Sequence, residues 1–163
     1  MDVMRLFCVD RKRKNESNGT GIVGRCPMSI KTVFCLGAWD LLHVGHINFI
    51  QEVRKFGDCV VIGIVKDKAI KKQKGNLRPI IPFKERETML QLLPFVDATI
   101  DLDDFYFPEG VLKNFDIIAI GVDQTHIQNI KDIPKNKLRL IKRYPHQSTS
   151  KIIKKIQNAI NLK

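Results

Sequence analysis

The chain has 163 residues, of which 44% are hydrophobic and 28% charged, and its formal net charge is +11 at pH 7. These values predict one folded domain that is large enough to bury a core. No apolar run approaches the roughly 18 residues that a membrane span needs, and the first residues lack the apolar segment of a signal peptide. We therefore expect a cytoplasmic protein without a membrane span. The positive charge fits a polyanion such as a nucleoside triphosphate, a nucleic acid, or a solvated lysine-rich surface.

The chain divides into an arm and a domain. Residues 1–27 combine charged and small residues with few periodic apolar positions, which predicts a flexible N-terminal arm, and residues 28–163 form the predicted domain. Runs of β-branched and aromatic residues predict strands at residues 32–36, Cys59–Val65, 97–102, 117–120 and 138–142. Apolar positions at helical spacing predict helices that start at residue 46 and lie at residues 83–93, 109–115 and 148–162, with helix and loop at residues 124–133.

Strands that alternate with helices predict an α/β fold, a Rossmann-like five-stranded parallel sheet with helices on both faces. The polar, basic residues 66–78 are expected to form a loop. Cys35 and Cys59 lie inside strand-like runs, which predicts buried, reduced thiols.

The loops that follow the predicted strands hold the candidate site. Ligands of parallel sheets bind beyond the carboxyl ends of the strands. The first of these loops ends in His43-Val44-Gly45-His46, directly before a helix, where unpaired N–H groups and the helix dipole favour a phosphate. The sequence has no cysteine or carboxylate near the two histidines at the spacing of a zinc site. We therefore expect the imidazoles to contact phosphate oxygens rather than to bind zinc. The motifs of acyl transfer and of P-loop chemistry are missing.

Four spaced motifs resemble those of one known group of proteins. GAWDLLHVGHINF resembles the signature of the HxGH nucleotidyltransferase superfamily, in its cytidylyltransferase-like branch. Residues 78–82, followed by Glu85-Arg86, resemble the basic loop and helix-borne arginine of that family. Residues 121–123 resemble its glycine-x-aspartate, and residues 143–150 match the spacing of its R-x-x-G-[IV]-S-T-[ST] signature, although His146 and Gln147 replace the glycine and the Ile/Val.

The resemblance implies nucleotidyl transfer, in which a phosphate oxygen of an acceptor attacks the α-phosphorus of a nucleoside triphosphate and pyrophosphate leaves. It also implies Mg²⁺, held by the phosphates rather than by side chains, and a homodimer. Asp40 is expected to brace its turn rather than to bind metal. The catalytic residues that the resemblance implies are His43, His46, Lys72 and Arg143. The nucleotide-binding residues that it implies are Gly37, Ala38, Trp39, Asp40, Gly45, Lys74, Arg86, Asp123, Ser148, Thr149 and Ser150.

The base and the acceptor stay open at this point. The spacing from Arg143 to Ser148 resembles the glycerol-3-phosphate cytidylyltransferases, which favours CMP transfer from CTP to glycerol 3-phosphate. Residues 71–82 also resemble heptose-1-phosphate adenylyltransferases and archaeal FAD synthases, so ATP with a sugar 1-phosphate or FMN is the alternative. Where the glycerol-3-phosphate enzymes carry basic acceptor contacts, this chain has Pro94 and Tyr106-Phe107-Pro108.

A protein of another class, a catalytically silent nucleotide- or nucleic-acid-binding module, would also suit the basic composition. The presence of both His43 and His46 argues against that alternative. We therefore do not expect nucleic acid as the partner.

Overall fold

The computed structural model describes residues 30–124, 126–142 and 144–161, and the predicted N-terminal arm lies outside them. The strands in this part of the chain are β1 (Thr32–Gly37), β2 (Cys59–Val65), β3 (Ala98–Leu102), β4 (Ile117–Gly121) and β5 (Leu138–Ile141). The helices are α1 (Val44–Arg54), α2 (Asp67–Lys74), α3 (Phe83–Gln91), α4 (Glu109–Asn114) and α5 (Thr149–Asn161), with a 3₁₀ turn at Ile130–Asp132.

The five strands form one parallel sheet in the order β3-β2-β1-β4-β5. β1 pairs with β2 from Thr32 opposite Cys59, and with β4 from Val33 opposite Ile117. Strand order reverses between β1 and β4, so the carboxyl ends of these two strands form the switch point at which such sheets bind ligands. The predicted α/β fold with a five-stranded parallel sheet is confirmed.

Hydrophobic cores cover both faces of the sheet. Every residue of β1 and β2 is buried, which explains why these strands read as continuous apolar runs rather than as an alternation. One face packs against α1 and α3, and its core includes Val33, Ile62, Ile50 and Leu90. The other face packs against α4, and its core includes Phe34, Val61, Phe105 and Val111. Each helix layer therefore has its own core, and the site lies on the edge between the two.

The prediction of a loop at residues 66–78 is wrong, because α2 occupies most of it. Asp67 in its first turn and three lysines in its last turn suit the helix dipole. Gly75 ends the helix at φ 90°, a backbone conformation that glycine adopts without steric cost. Among its residues only Ala69 and Ile70 are buried. Two apolar positions are too few to show the spacing by which a helix is recognised in a sequence.

Other differences from the predictions are local. α3 ends at Gln91, and Leu92, which the helical spacing predicts to face inward, is 78% exposed. Residues 126–133, where helix and loop are predicted, form turns and the short 3₁₀ segment without an α-helix. Cys35 is a buried free thiol whose pKa is raised by burial, as its surroundings predict. Cys59 differs from its prediction, because it is disulfide-bonded.

Within the described residues, no helix combines the length and the apolar character that crossing a membrane requires.

Candidate active site

A cavity of about 280 Å³ opens at the carboxyl ends of β1 and β4, at the switch point of the sheet. The predicted site residues that line it are Gly37, Ala38, Trp39, Asp40, His43, Gly45, His46, Lys74, Asp123, Ser148, Thr149 and Ser150. Residues far apart in sequence thus meet at one place, which is the arrangement that a parallel sheet of this order produces.

His43 caps α1 with its own side chain. Its Nδ1 accepts a hydrogen bond from Gly45 N at 3.0 Å, so in the neutral ring the proton lies on Nε2. Nε2 is 3.5 Å from Thr149 Oγ1, and this hydroxyl donates to Asp40 O at 2.9 Å. Because the threonine proton is used in this way, its oxygen is oriented to accept from the imidazole. His43 is therefore held in place on the lining of the cavity, with its Nε2–H turned toward Thr149 Oγ1.

His46 stacks on His43, with ring centroids 3.9 Å apart and planes 21° from parallel. Trp39 borders it from the other side, with ring centroids 5.4 Å apart. Burial lowers the pKa of His46 to about 3, and nearby positive charge on His43 and Lys74 acts in the same direction. Its Nδ1 is buried and has no hydrogen-bond partner among the described residues. At neutral pH His46 is thus an uncharged imidazole.

We expect the wild-type protein to lose about 1 kcal/mol of unfolding free energy through His46 between pH 7.5 and pH 5.5. An unfolded histidine has a pKa of about 6.5, so as the pH falls His46 binds a proton in the unfolded chain but stays neutral in the folded chain, where its pKa is lowered. The free energy of unfolding that His46 contributes is therefore fully present above about pH 6.5 and decreases below it. Urea unfolding at both pH values should show a weaker pH dependence in His46→Gln than in the wild type. Equal pH dependence in the two proteins would contradict the assignment.

Gly45 allows the close approach of the capping histidine. A Cβ at this position would lie 2.8 Å from His43 Cε1, 2.9 Å from His43 Nδ1 and 3.1 Å from the backbone oxygen of Gln147. The first two distances are shorter than van der Waals contact permits, so any larger side chain would displace the imidazole. Glycine is thus required at this position because a side chain would collide with the His43 ring, and not because the backbone adopts an unusual angle.

Gly45→Ala should lower kcat about tenfold or more, because displacement of the His43 ring moves its N–H donor away from the phosphate. Gly110→Ala is the matched control, since Gly110 is the second residue of α4 as Gly45 is of α1, and a Cβ there meets only Asn114 at 4.0 Å. Steady-state kinetics of both variants measures the effect. An equal, small change in both would show that the glycine has no special role.

Asp40 joins the loop after β1 to the segment after α2. Its carboxylate is almost completely buried and accepts from Arg78 Nε at 2.8 Å, from Ile80 N at 3.0 Å and from Ile81 N at 2.9 Å. Arg78 Nη2 adds an ion pair at 2.8 Å. Asp40 therefore braces the turn, and it holds Arg78 on the lining of the cavity.

The structure does not bring Arg86 into the cavity, contrary to the prediction that it binds the nucleotide. Its side chain is completely buried. The guanidinium donates to four acceptors on four separate segments of the chain, which are Ala38 O, Val65 O at 3.0 Å, Ile81 O at 3.0 Å and Asp67 Oδ1 at 2.6 Å. Arg86 thus fixes the ends of β1 and β2 relative to α2 and α3, and it shapes the site from behind.

Of the two lysines of the predicted basic loop, one faces the cavity. Lys74 lines it, and its Nζ lies 5.6 Å from the centre of the Phe105 ring. Burial of the ammonium and repulsion from Arg78 lower the pKa of Lys74. Lys72, which was predicted to be catalytic, is exposed and lies outside the lining, because it points away on the turns of α2.

The N-terminus of α5 forms the remaining side of the cavity. Ser148 Oγ accepts from Lys151 N at 3.3 Å, the pattern of a helix cap, and Thr149 and Ser150 follow it along the lining. Two helix N-termini, those of α1 and α5, therefore meet at the cavity. Arg143, the fourth predicted catalytic residue, lies outside the described residues.

Several lining residues were not among the predictions. Gln124 accepts from Gly121 N at 2.6 Å through Oε1 and donates to Leu36 O at 3.1 Å through Nε2, so its amide bridges β4 and β1 at the switch point. Its position directly after a predicted strand was the available signal. Five other lining residues lie in the motifs quoted from the sequence but were assigned no role there, and they are Phe49, Arg78, Gly121, Tyr144 and Gln147. The lining residues outside those motifs are His126, Ile141 and Lys142.

A parallel sheet whose switch point holds two helix N-termini, stacked histidines and a lysine defines a Rossmann-like nucleotide-binding protein. The model of the family described as cytidylyltransferase-like matches residues 34–159. The chain therefore belongs to the cytidylyltransferase-like family and is a nucleotidyltransferase by class.

Similar curated proteins are named bifunctional protein HldE. The chain is 35% identical over 127 residues to the protein from Campylobacter fetus subsp. fetus, covering 77% of this chain and 28% of that protein. It is 30% identical over 131 residues to the protein from Wolinella succinogenes, covering 79% and 27%. For the protein from Helicobacter pylori strain J99 the values are 34% over 133 residues, 80% and 28%. The chain thus spans somewhat over a quarter of the length of these relatives.

Two solved structures share the fold. A lipopolysaccharide core biosynthesis protein from Thermoplasma volcanium GSS1 superimposes with a TM-score of 0.54 at 24% identity, covering 73% of this chain and 100% of that chain. A protein of unknown function from Archaeoglobus fulgidus gives a TM-score of 0.51 at 20% identity, covering 72% and 93%. At these identities the similarity supports the fold alone.

Proposed function

We propose that this chain transfers a nucleoside monophosphate from a nucleoside triphosphate to a phosphorylated small molecule. A phosphate oxygen of the acceptor attacks the α-phosphorus, and the bond from that phosphorus to the β-phosphate oxygen breaks, which releases pyrophosphate. The observation that supports this most is the pair of stacked histidines at the N-terminus of α1, both of which line the cavity.

The residues act in this proposal by positioning and by charge. A phosphate monoester is largely dianionic at neutral pH, so the attacking oxygen needs no general base. The imidazoles of His43 and His46 and the positive dipole ends of α1 and α5 would stabilise charge that develops on the phosphate oxygens. Lys74 would supply a formal positive charge, and Arg86 would act as a positioning residue rather than as a nucleotide contact.

Mg²⁺ belongs to the proposal as the companion of the triphosphate. Among the described residues, no three His, Cys, Asp or Glu side chains are grouped so that they could hold a metal ion. The Asp40 carboxylate is engaged by Arg78 and by backbone N–H groups. This donor set fits an ion held chiefly by phosphate oxygens. Such an ion would neutralise part of the triphosphate charge.

For the substrates, we propose ATP and a sugar 1-phosphate, with CTP and glycerol 3-phosphate as the second candidate pair. Residues 71–82 resemble the basic loop of heptose-1-phosphate adenylyltransferases, and the relatives reported above are HldE proteins rather than glycerol-phosphate cytidylyltransferases. The uncharged Pro94 and Tyr106, which stand where the glycerol-3-phosphate enzymes carry basic residues, support the same choice. The spacing from Arg143 to Ser148 is what favours the second pair.

Pyrophosphate release tests the proposal. Each of the four nucleoside triphosphates is incubated with Mg²⁺ and with mannose 1-phosphate, glycerol 3-phosphate or FMN. We expect release with ATP and the sugar 1-phosphate, at least tenfold faster than with any other pair. Release with CTP and glycerol 3-phosphate would select the second pair instead.

A non-catalytic module is the rival from another class. No release with any pair, together with nucleotide binding that persists in His43→Ala, would defeat the proposed reaction. A DNA mobility shift that weakens with salt and resists competition by ATP would then support a nucleic-acid-binding module.

The proposal includes a cytoplasmic location, where nucleoside triphosphates are available, and a homodimer. Among the described residues none of those in α5 is buried, and Ile156 and Ile160 are 52% and 66% exposed, an apolar surface that a second copy would cover. Sedimentation should give a dimer that Ile160→Lys dissociates. A wild-type monomer at high micromolar concentration would contradict this part of the proposal.

A further inference from the structure

Two residues of the cavity lining, His126 and Lys74, contact the ring of Phe105, and we call residues 104–107 and 126–129 together with Lys74 the second wall. The two segments are joined by reciprocal hydrogen bonds between Asn129 and Phe107, each 2.9 Å long. Both bonds are buried, so this wall is fixed in position. It rests on the sheet face that packs against α4, whereas α1 with its histidines packs on the opposite face.

Phe105 organises the chemistry of the second wall. Its ring is buried, and it meets the His126 ring edge to face, with centroids 4.8 Å apart and planes at 84°. The Lys74 ammonium lies 5.6 Å from the centre of the same ring. One buried ring therefore holds an imidazole and an ammonium near each other, and both line the cavity.

The remaining charges of the cavity suggest what this pair binds. In the proposed function the triphosphate is bound by His43 and by the N-termini of α1 and α5, which leaves the acceptor phosphate as the other anion. A nucleotide base is uncharged at neutral pH, so an ammonium beside an imidazole suits a phosphate better than a base. Burial and Lys74 lower the pKa of His126, with Asp123 acting in the opposite direction, and a dianion bound at this wall would act against that lowering by favouring the protonated imidazole.

We infer that His126 is an acceptor-recognition residue, whose imidazole, together with the Lys74 ammonium, binds the phosphate of the acceptor on the wall opposite His43. The inference rests on the proposed function and deepens it. An acceptor held there would approach the α-phosphorus from the side away from the helix N-termini that bind the leaving pyrophosphate, as in-line displacement requires.

Steady-state kinetics tests the inference with His126→Ala and with the control Gln91→Ala, a change at an exposed residue that does not line the cavity. We expect the KM for the acceptor to rise tenfold or more in His126→Ala, the KM for the nucleotide to change by less than twofold, and the control to match the wild type. An unchanged KM for the acceptor, or a rise confined to the nucleotide, would overturn the inference.

A binding measurement separates failure of the inference from failure of the proposed function. The probes are the ATP analogue with a methylene bridge between the α- and β-phosphorus and then inorganic phosphate, and the readout is the imidazole NMR spectrum, assigned with His126→Ala. We expect the analogue to move the signals of His43 and the added phosphate to move those of His126. If phosphate leaves the His126 signals in place, the inference fails, whether or not the wild-type protein turns over any substrate pair.

Discussion

His43→Ala should lower kcat by two to three orders of magnitude in the pyrophosphate-release assay. The imidazole is held between Gly45 N, which donates to its Nδ1, and Thr149 Oγ1, 3.5 Å from its Nε2, so the ring is already in place before the substrate arrives. Loss of one such donor to developing charge typically costs about 10² to 10³ in rate. The alanine also removes the helix cap, which should lower the unfolding free energy by about 1 kcal/mol.

His43→Asn separates these two effects. Asparagine is a good helix cap and can accept from Gly45 N, but its short side chain does not reach Thr149 as the imidazole does. We expect wild-type thermal stability in the asparagine variant and a kcat as low as in the alanine variant. If the asparagine variant recovered most of the wild-type kcat, the imidazole would serve only as a cap and the proposed mechanism would be wrong.

Arg86→Leu should destabilise the fold by about 3 to 5 kcal/mol, as expected when one partner of a buried ion pair is removed. The leucine would leave the buried carbonyls of Ala38 and Val65 and the carboxylate of Asp67 without this donor. Urea unfolding measures the loss. Arg86→Lys should recover only part of it, because one ammonium cannot span acceptors on four separate segments as the planar guanidinium does.

Lys84→Leu is the matched control, since Lys84 is a cation on the same helix, is 85% exposed and pairs only with Glu87 among the described residues. We expect a change within about 0.5 kcal/mol there. A loss below 1 kcal/mol in Arg86→Leu, or equal losses in both variants, would contradict the role of Arg86 as the link between the strand ends and the helices.

The sheet could be predicted because burial on both faces leaves a direct mark on the sequence. Cys59–Val65 is apolar at every position, and its observed bounds match the predicted ones. Asp67–Lys74 was missed for the opposite reason, because a helix with only Ala69 and Ile70 buried has almost no apolar period. Leu92 was misplaced because helical spacing does not reveal where the helix ends.

The site residues also fall into those that the sequence could predict and those that it could not. Contiguous motifs such as His43 to His46 carry their own context, a strand before and a helix after, so their meeting point could be foreseen. Arg86 could not be assigned correctly, because its partners are carbonyls and a carboxylate that only the folded chain brings together. His126 was missed because the packing that places it against Phe105 leaves no local pattern.

The fate of oxygen label tests nucleotidyl transfer most directly. The acceptor that the turnover screen selects is prepared with ¹⁸O in all of its phosphate oxygens and incubated with the nucleoside triphosphate and Mg²⁺, and the products are resolved by ³¹P NMR and mass spectrometry. Attack of the acceptor phosphate on the α-phosphorus predicts that the nucleotide-linked product keeps every labelled oxygen and that the pyrophosphate carries none. Label in the pyrophosphate, or release of orthophosphate and a nucleoside diphosphate instead, would contradict the account.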